Sequence, residues 1–299
     1  MHKGLRLIPG GVPRHHSCIG AAGAGMDLNS IGAVAVPRSR EALADWREGD
    51  AWLAGGTWLF SEPQPTLRRL VDLAGLGWPP YDVEESGLTL AATCTIAQLD
   101  RLEPPASWIA APLIGQCCRA LLGSFKIWNM ATVGGNICLA LPAGPMIALC
   151  VALEGTGVVW TRRGDERRSP VRDLVLGPQR NALAPGEVLR AIEIPDAALR
   201  RRTAFRRAAL SPAGRSGALV IGTHDPSGAF ALTVTAATRR PVRLAFEAPP
   251  AALELTDAIE EAIPDEAYYD DVHGAPEWRR NMTHVLAEEI RRELGERTS

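Results

Sequence analysis

Several common ligand-binding signatures are missing from this chain. No G-x-G-x-x-G follows a strand and opens a βαβ unit, which excludes a Rossmann dinucleotide site, and no lysine of the Walker type closes a glycine loop. The six cysteines (Cys18, Cys94, Cys117, Cys118, Cys138 and Cys150) include no C-x2-C pair. A zinc or iron–sulfur centre built from this chain alone is therefore not expected, and no metal ligands are assigned. The plain expectation for most of these thiols is burial as small apolar groups in a reducing, cytoplasmic setting. No Ser/His/Asp or Cys/His constellation identifies a nucleophile, so no catalytic residue is assigned. No run of about 18 apolar residues is present, and no membrane insertion is expected. The formal net charge of -2 gives the chain no overall attraction to nucleic acid or an anionic surface.

The 299 residues, 46% hydrophobic and 22% charged, are enough for two ordinary domains with real cores. Residues 1–25 read as a flexible extension without a signal-peptide pattern, and Met26 is a candidate start. Strands are expected over 50–54, 70–73, 88–92 and 157–161, and a helix with Ser39 as its cap over 39–46. Thr95 and Gln98 form a capping-box pattern for a helix to about Leu102. Helical spacing predicts further helices from about Ala111 towards Gly123 and over 144–153. Beyond about Asn181 the pattern changes to strands over 189–194, 203–207, 218–222, 230–236 and 242–246, broken by Pro/Gly turns. Two helices follow over 251–262 and 276–294. A run of antiparallel strands followed by helices indicates an α+β architecture rather than a doubly wound sheet. The expected units are 26–180, with a hinge near 77–80, and 181–299.

Two glycine stretches stand out. Ala54-Gly55-Gly56-Thr57 follows a short apolar strand, and Ala131-Thr132-Val133-Gly134-Gly135-Asn136 follows an apolar segment. Glycines allow φ > 0 and close approach of a ligand, and successive free N–H groups in such turns bind anions. Thr57 and Thr132 add hydroxyls, and Asn136 adds a donor and an acceptor. Two such loops in one chain are expected to close like jaws on one phosphate-bearing cofactor.

With these motifs the chain resembles the FAD-binding (medium) subunits of the molybdenum hydroxylases, the xanthine dehydrogenase and carbon monoxide dehydrogenase family. The resemblance rests on the two glycine stretches, on Leu141-Pro142-Ala143-Gly144 and on Leu189-Arg190-Ala191-Ile192-Glu193-Ile194-Pro195. It extends from Met26-Asp27-Leu28-Asn29 to Asp270-Asp271-Val272-His273-Gly274 and Glu277-Trp278-Arg279-Arg280. It implies an α+β fold with a two-lobed FAD-binding domain of the vanillyl-alcohol-oxidase-like (PCMH) type and a C-terminal α+β domain with an antiparallel sheet. It also implies that Trp52, Leu53, Ala54, Gly55, Gly56, Thr57 and Trp58 lie along the FAD diphosphate. Thr132, Gly135 and Asn136 would clamp the diphosphate from the other side, Leu189 would pack near the flavin ring, and Arg206 would be a cation beside it.

The implied partners are a large molybdopterin-binding subunit and a small [2Fe–2S] subunit. Electrons would leave to NAD+, oxygen or a quinone, and export with a signal-bearing partner is compatible with the chain. Two positions depart from the family pattern. Trp58 follows Gly-Gly-Thr where an acid or amide is usual, and Pro145 stands where an aspartate usually contacts the cofactor. Trp58 and Trp128 are candidates either for the ring pocket or for core and interface aromatics. His15-His16 is a weak pattern for covalent flavin attachment, and Asp270, Asp271 and His273 read as a helix-capping turn rather than a metal site. A stand-alone flavin oxidase and an FAD-less scaffold subunit remain the alternative readings.

Overall fold

A computed structural model describes residues 28–296, arranged as two lobes and a C-terminal α+β unit. The N-terminal extension, Met26, Asp27, His15-His16 and Cys18 lie outside the described residues.

The first lobe carries a parallel three-stranded sheet of order β1-β3-β2, from Ala33–Ala35 (β1), Asp50–Leu53 (β2) and Arg69–Asp72 (β3). β2 is an edge strand that ends where the first glycine stretch begins. The expected helix over 39–46 is a single 3-10 turn, Glu41–Asp45, with Arg40 rather than Ser39 at the N-cap position.

Residues 77–80 lead into the second lobe, an antiparallel sheet of order β4-β5-β10-β6-β7. Its strands are Tyr81–Glu84 (β4), Gly87–Ala91 (β5), Thr156–Trp160 (β6), Glu166–Pro170 (β7) and Val188–Pro195 (β10). A short hairpin, Val175–Gly177 (β8) with Arg180–Asn181 (β9), stands outside the sheet. The helices are Ile96–Asp100 (α1), Ala111–Ala120 (α2), Phe125–Met130 (α3), Val133–Leu139 (α4), Pro145–Ala152 (α5), Val171–Leu174 (α6) and Asp196–Leu199 (α7). The capping box forms as the sequence pattern requires: Gln98 N–H donates to Thr95 Oγ at 3.2 Å, and Thr95 N–H donates to Gln98 Oε1 at 2.9 Å.

The sheet corrects the expected boundary at residue 181. β10, read from sequence as the start of the second unit, pairs with β5 on one side and β6 on the other. It closes the second lobe, and the chain changes sheets only after α7. Pairing between strands about 100 residues apart is set by tertiary register, which local pattern does not encode.

The C-terminal unit is an antiparallel sheet of order β11-β12-β13-β14: Arg202–Ala208, Ala218–His224, Phe230–Thr235 and Val242–Phe246. Helices Ala252–Ala262 (α8) and Pro276–Gly295 (α9) follow. Every residue of α5 is buried, so its apolar character extends all round the helix. It lies between the second lobe and the C-terminal sheet, sharing one core with Leu219 and Ile221 of β12. The alternate residues Ala218 and Val220 face the other core, with Ile290 and Leu294 of α9.

Arg279 is the other anchor. It is 1% exposed, yet it donates to the carbonyls of Gly274 (2.7 Å), Gly217 (2.8 Å) and Ala236 (2.5 Å) and pairs with Asp271. Asp271 Oδ1 also accepts the N–H of His273 at 2.8 Å. The 270–274 segment is thus a turn folded around a buried guanidinium.

Candidate cofactor site

The two glycine stretches meet. A Cβ on Gly55 would lie 1.7 Å from the carbonyl oxygen of Met130 and 3.2 Å from Cα of Ala131, so the backbones of the two loops touch at a point that admits only glycine. Close approach, not a special dihedral, is the role of most of these glycines. Among Gly55, Gly56, Gly134 and Gly135, only Gly56 has a positive φ, +68°. Gly134 packs on Ala92, where a Cβ would fall 2.4 Å from the alanine Cβ.

The second stretch differs from its sequence reading in one respect. It is not an open turn but the N-terminus of α4, capped by Thr132. Its leading amides are already engaged. Val133 N–H donates to Cys94 O (2.9 Å), Gly134 to Ala92 O (2.9 Å), Gly135 to Thr132 Oγ (3.0 Å) and Asn136 to Thr132 O (3.0 Å). Asn136 Oδ1 accepts the N–H of Met146 at 3.1 Å, at the start of α5 beside Pro145. Thr132 and Asn136 therefore order the wall of the site through the backbone.

The first stretch is the reverse case. Among the described residues, the backbone N–H groups of Ala54, Gly55, Gly56, Thr57 and Trp58 have no protein acceptor, nor has that of Leu59, whereas Phe60 N–H donates to Gly56 O and Ser61 N–H to Trp58 O. These consecutive half-buried donors lie at the end of an edge strand, where successive free amides can receive an anion. The first of them, Ala54, lines a cleft of ≈ 440 Å³ between the lobes, within the size range of small-molecule sites. Its walls are Trp52 and Ala54 from the first lobe, Ala92, Gly135 and Cys138 beneath, and residues 183–189 opposite.

Trp52 spans the cleft, its indole N–H donating to Glu187 O at 2.8 Å, and the lobes are further joined by packing of Leu43, Val71, Leu73 and Val188. Asn181 holds the 183–189 wall to α4, donating to Cys138 O (2.7 Å) and accepting from Leu183 N–H (3.0 Å).

Both acids of the cleft are paired. Asp50 binds Arg69 at 2.5 Å and Glu187 binds Arg167 at 2.6 Å, and in each case the arginine hydrogen bond holds the carboxyl below its ordinary range. Burial pushes the Cys138 thiol up to about 12, leaving it protonated and unreactive. The described cysteines are free thiols, and desolvation likewise raises Cys94, Cys117, Cys118 and Cys150.

Of the residues assigned from sequence, Trp52, Ala54, Gly135 and Leu189 line the cleft; Leu53 ends β2, and Gly55, Gly56, Thr57 and Trp58 follow Ala54 without lining the cleft. Thr132 and Asn136 stand behind it. Arg206 is not brought there: it pairs with Glu289 (3.0 Å) and Glu293 (2.5 Å) of α9. Trp128 packs against the core and donates to Leu121 O at 3.1 Å, outside the cleft walls. Sequence reasoning missed the 183–187 wall and Asn181. Their one visible signal was the Pro185-Gly186 turn before β10.

Residues 31–197 match the family described as the FAD binding domain in molybdopterin dehydrogenase. The chain belongs to this family. The match covers the two lobes and ends within α7, two residues past β10, the last strand of the second lobe's sheet. The chain is 30% identical over 125 residues to xanthine dehydrogenase of Oryza sativa subsp. japonica and 27% identical over 126 residues to xanthine dehydrogenase 1 of Arabidopsis thaliana. Each alignment takes in 38% of this chain, and the chain spans only about 9% of those relatives' length.

The fold matches a chain of the cyanide-inactivated Cu,Mo-CO dehydrogenase with a TM-score of 0.74 at 24% identity, over 89% of this chain and 98% of that one. It matches a chain of quinoline 2-oxidoreductase from Pseudomonas putida 86 with a TM-score of 0.72 at 19% identity, over 90% and 100% of the two chains. These likenesses establish the two-lobed, PCMH-type α+β fold expected from the sequence.

The donor set fits the cofactor of this family. The cleft walls bring no unpaired cation, since Asp50 and Glu187 are the charged groups there and both are engaged. A diphosphate would therefore be held by neutral backbone donors, as the free amides of residues 54–58 allow.

Proposed function

We propose that this chain is the FAD-carrying electron-transfer component of a multi-subunit molybdenum hydroxylase. The observation that carries the reading is the row of unpartnered amides at residues 54–58, held against the end of α3 by the Gly55–Met130 contact and leading away from Ala54 on the wall of an interlobe cleft. In this reading the amides of residues 54–58 bind the diphosphate. Gly135, next to the capped end of α4, forms the opposite jaw, and Leu189 and residues 183–187 pack along the rest of the cofactor. Bound FAD supplies one- and two-electron transfer, and the residues of this chain bind it, orient it and exclude water from it.

The molybdopterin and [2Fe–2S] centres would lie in two partner chains, and electrons would leave to NAD+, oxygen or a quinone. A stand-alone oxidase needs a free base in the cleft, whereas the two carboxylates there are ion-paired and held anionic.

The test is to purify the chain alone and with the products of its neighbouring genes, then record the visible spectrum and the flavin stoichiometry. A yellow protein with about one FAD per chain, reducible only in the presence of its partners, is expected. A colourless chain that does not take up FAD would overturn the proposal.

A further inference from the structure

A second cavity, of ≈ 360 Å³, lies beside the cleft, and Gly186 and Val188 line both. Gly186 forms the partition. It has a φ of +84°, and an added Cβ would stand 3.3 Å from Arg162 on one side and from Trp46 on the other. The turn joining β6 to β7 delivers Thr161, Arg162 and Arg163 to this cavity, and the segment before the first 3-10 turn delivers Arg40. Three arginines and a single acid, the exposed Glu41, thus line this cavity.

Arg162 and Arg163 have no carboxylate within 4.0 Å among the described residues, although the same hairpin pairs Arg167 and Arg168 with acids. Arg40 is fixed in place: its Nη2 donates to Asp165 O at 2.7 Å and its guanidinium lies 4.6 Å over the Trp160 ring. Its Nε and the Thr161 hydroxyl are closed to solvent, so the cavity reaches neither of them.

A cavity lined by three arginines and one carboxylate calls for a ligand that brings acceptor oxygens. Because Arg162 and Arg163 are unpaired among the described residues, that ligand carries concentrated negative charge, and a phosphoryl group matches the guanidinium fork. The space exceeds that of one phosphate, and Arg40 already covers the Trp160 face, so recognition rests on the phosphoryl end rather than on ring stacking. We propose that this cavity is a phosphoryl-binding site, separate from the flavin cleft, for a small phosphorylated molecule of nucleotide size.

The proposal does not rest on the flavin reading, and its test keeps the two apart. The full chain, with whatever flavin it carries, is titrated calorimetrically with ADP, inorganic phosphate and adenosine at about 0.1 M salt, where close contacts survive screening. ADP and phosphate should bind and adenosine should not. Binding should weaken by about tenfold or more in R162A/R163A, whose side chains are exposed and unpaired among the described residues, so that the fold stays intact, and should change little in T161V. FAD content should be unchanged in both variants. ADP should bind more tightly than phosphate; equal binding would make the free ion the ligand and overturn the assignment to a nucleotide-sized molecule. No binding to the natural protein, equal binding in R162A/R163A, adenosine binding as well as ADP, or a parallel loss of FAD would each overturn the assignment.

Discussion

Replacing Gly55 by alanine tests the cofactor site most directly. The added carbon would lie 1.7 Å from Met130 O and 2.6 Å from Met130 C. Both are backbone atoms, so no side chain can swing away. Restoring ordinary contact requires the loops to part by roughly 1.5–2 Å. Overpacking of this kind costs about 1–3 kcal/mol of stability. The larger effect falls on the cofactor, because the free amides of residues 54–58 ride on the same loop. A hydrogen bond to a charged oxygen contributes about 1.5–3 kcal/mol, so misplacing even one donor weakens FAD by about tenfold to a hundredfold.

The assay is flavin stoichiometry after gel filtration together with affinity from flavin fluorescence, with circular dichroism to show that the variant is folded. Gly56→Ala is the internal control. It forces a left-handed backbone costing about 1–2 kcal/mol, but its obstacle is the side chain of Phe60, 2.3 Å away, which can turn aside. A folded Gly55→Ala that keeps full FAD content and affinity, or that matches Gly56→Ala, would refute the argument that the loop contact positions the amides.

Other consequences are open to simple measurements. Arg279→Met should lower stability by about 3–5 kcal/mol in urea melts by stranding Asp271 and three carbonyls, and lysine, lacking the guanidinium fork, should not rescue it. Arg206→Ala should leave flavin content and midpoint potential unchanged and shift stability by no more than about 1 kcal/mol, because its partners are half-exposed glutamates on α9. Trp52→Phe should cost about 1 kcal/mol and loosen FAD, since it removes the hydrogen bond that spans the cleft to Glu187. Asp50 has a folded pKa below its ordinary 3.8, chiefly through the Arg69 hydrogen bond, so its stabilising contribution is complete above that value and is lost as pH falls through the lowered one. Melting temperature should therefore fall below about pH 4, and Asp50→Asn should be less stable at pH 7 with a smaller acid-limb fall.

Much of the local structure was legible because its causes are local. The Thr95–Gln98 box, the strand ending at Pro195, the all-apolar helix after Gly144 and the Pro/Gly turns of the C-terminal sheet follow from capping, propensity and periodicity within a few residues. The same holds for the glycine stretches as markers of a site, and their family resemblance carried the fold. Other features had no local cause. Thr132 and the two glycines after it read equally well as an open turn or a helix start, and only the packing of Gly134 on Ala92 decided for the helix. Arg206 sits in a basic run that reads the same whether it faces a cofactor or two glutamates on a helix more than eighty residues away. The 183–187 wall holds few side chains of distinctive chemistry and became part of the site only because β10 inserts between β5 and β6.

The sequence by itself determined that an α+β chain carries two close-approach glycine loops and no local means of building a metal centre, because those properties depend on residue type and short spacing. The tertiary structure decided the division of labour between the loops. Which amides remain free depends on which carbonyls are folded against them. Cys94 and Ala92 occupy those of the second stretch, while the first, at the end of an edge strand, is left with donors for a ligand.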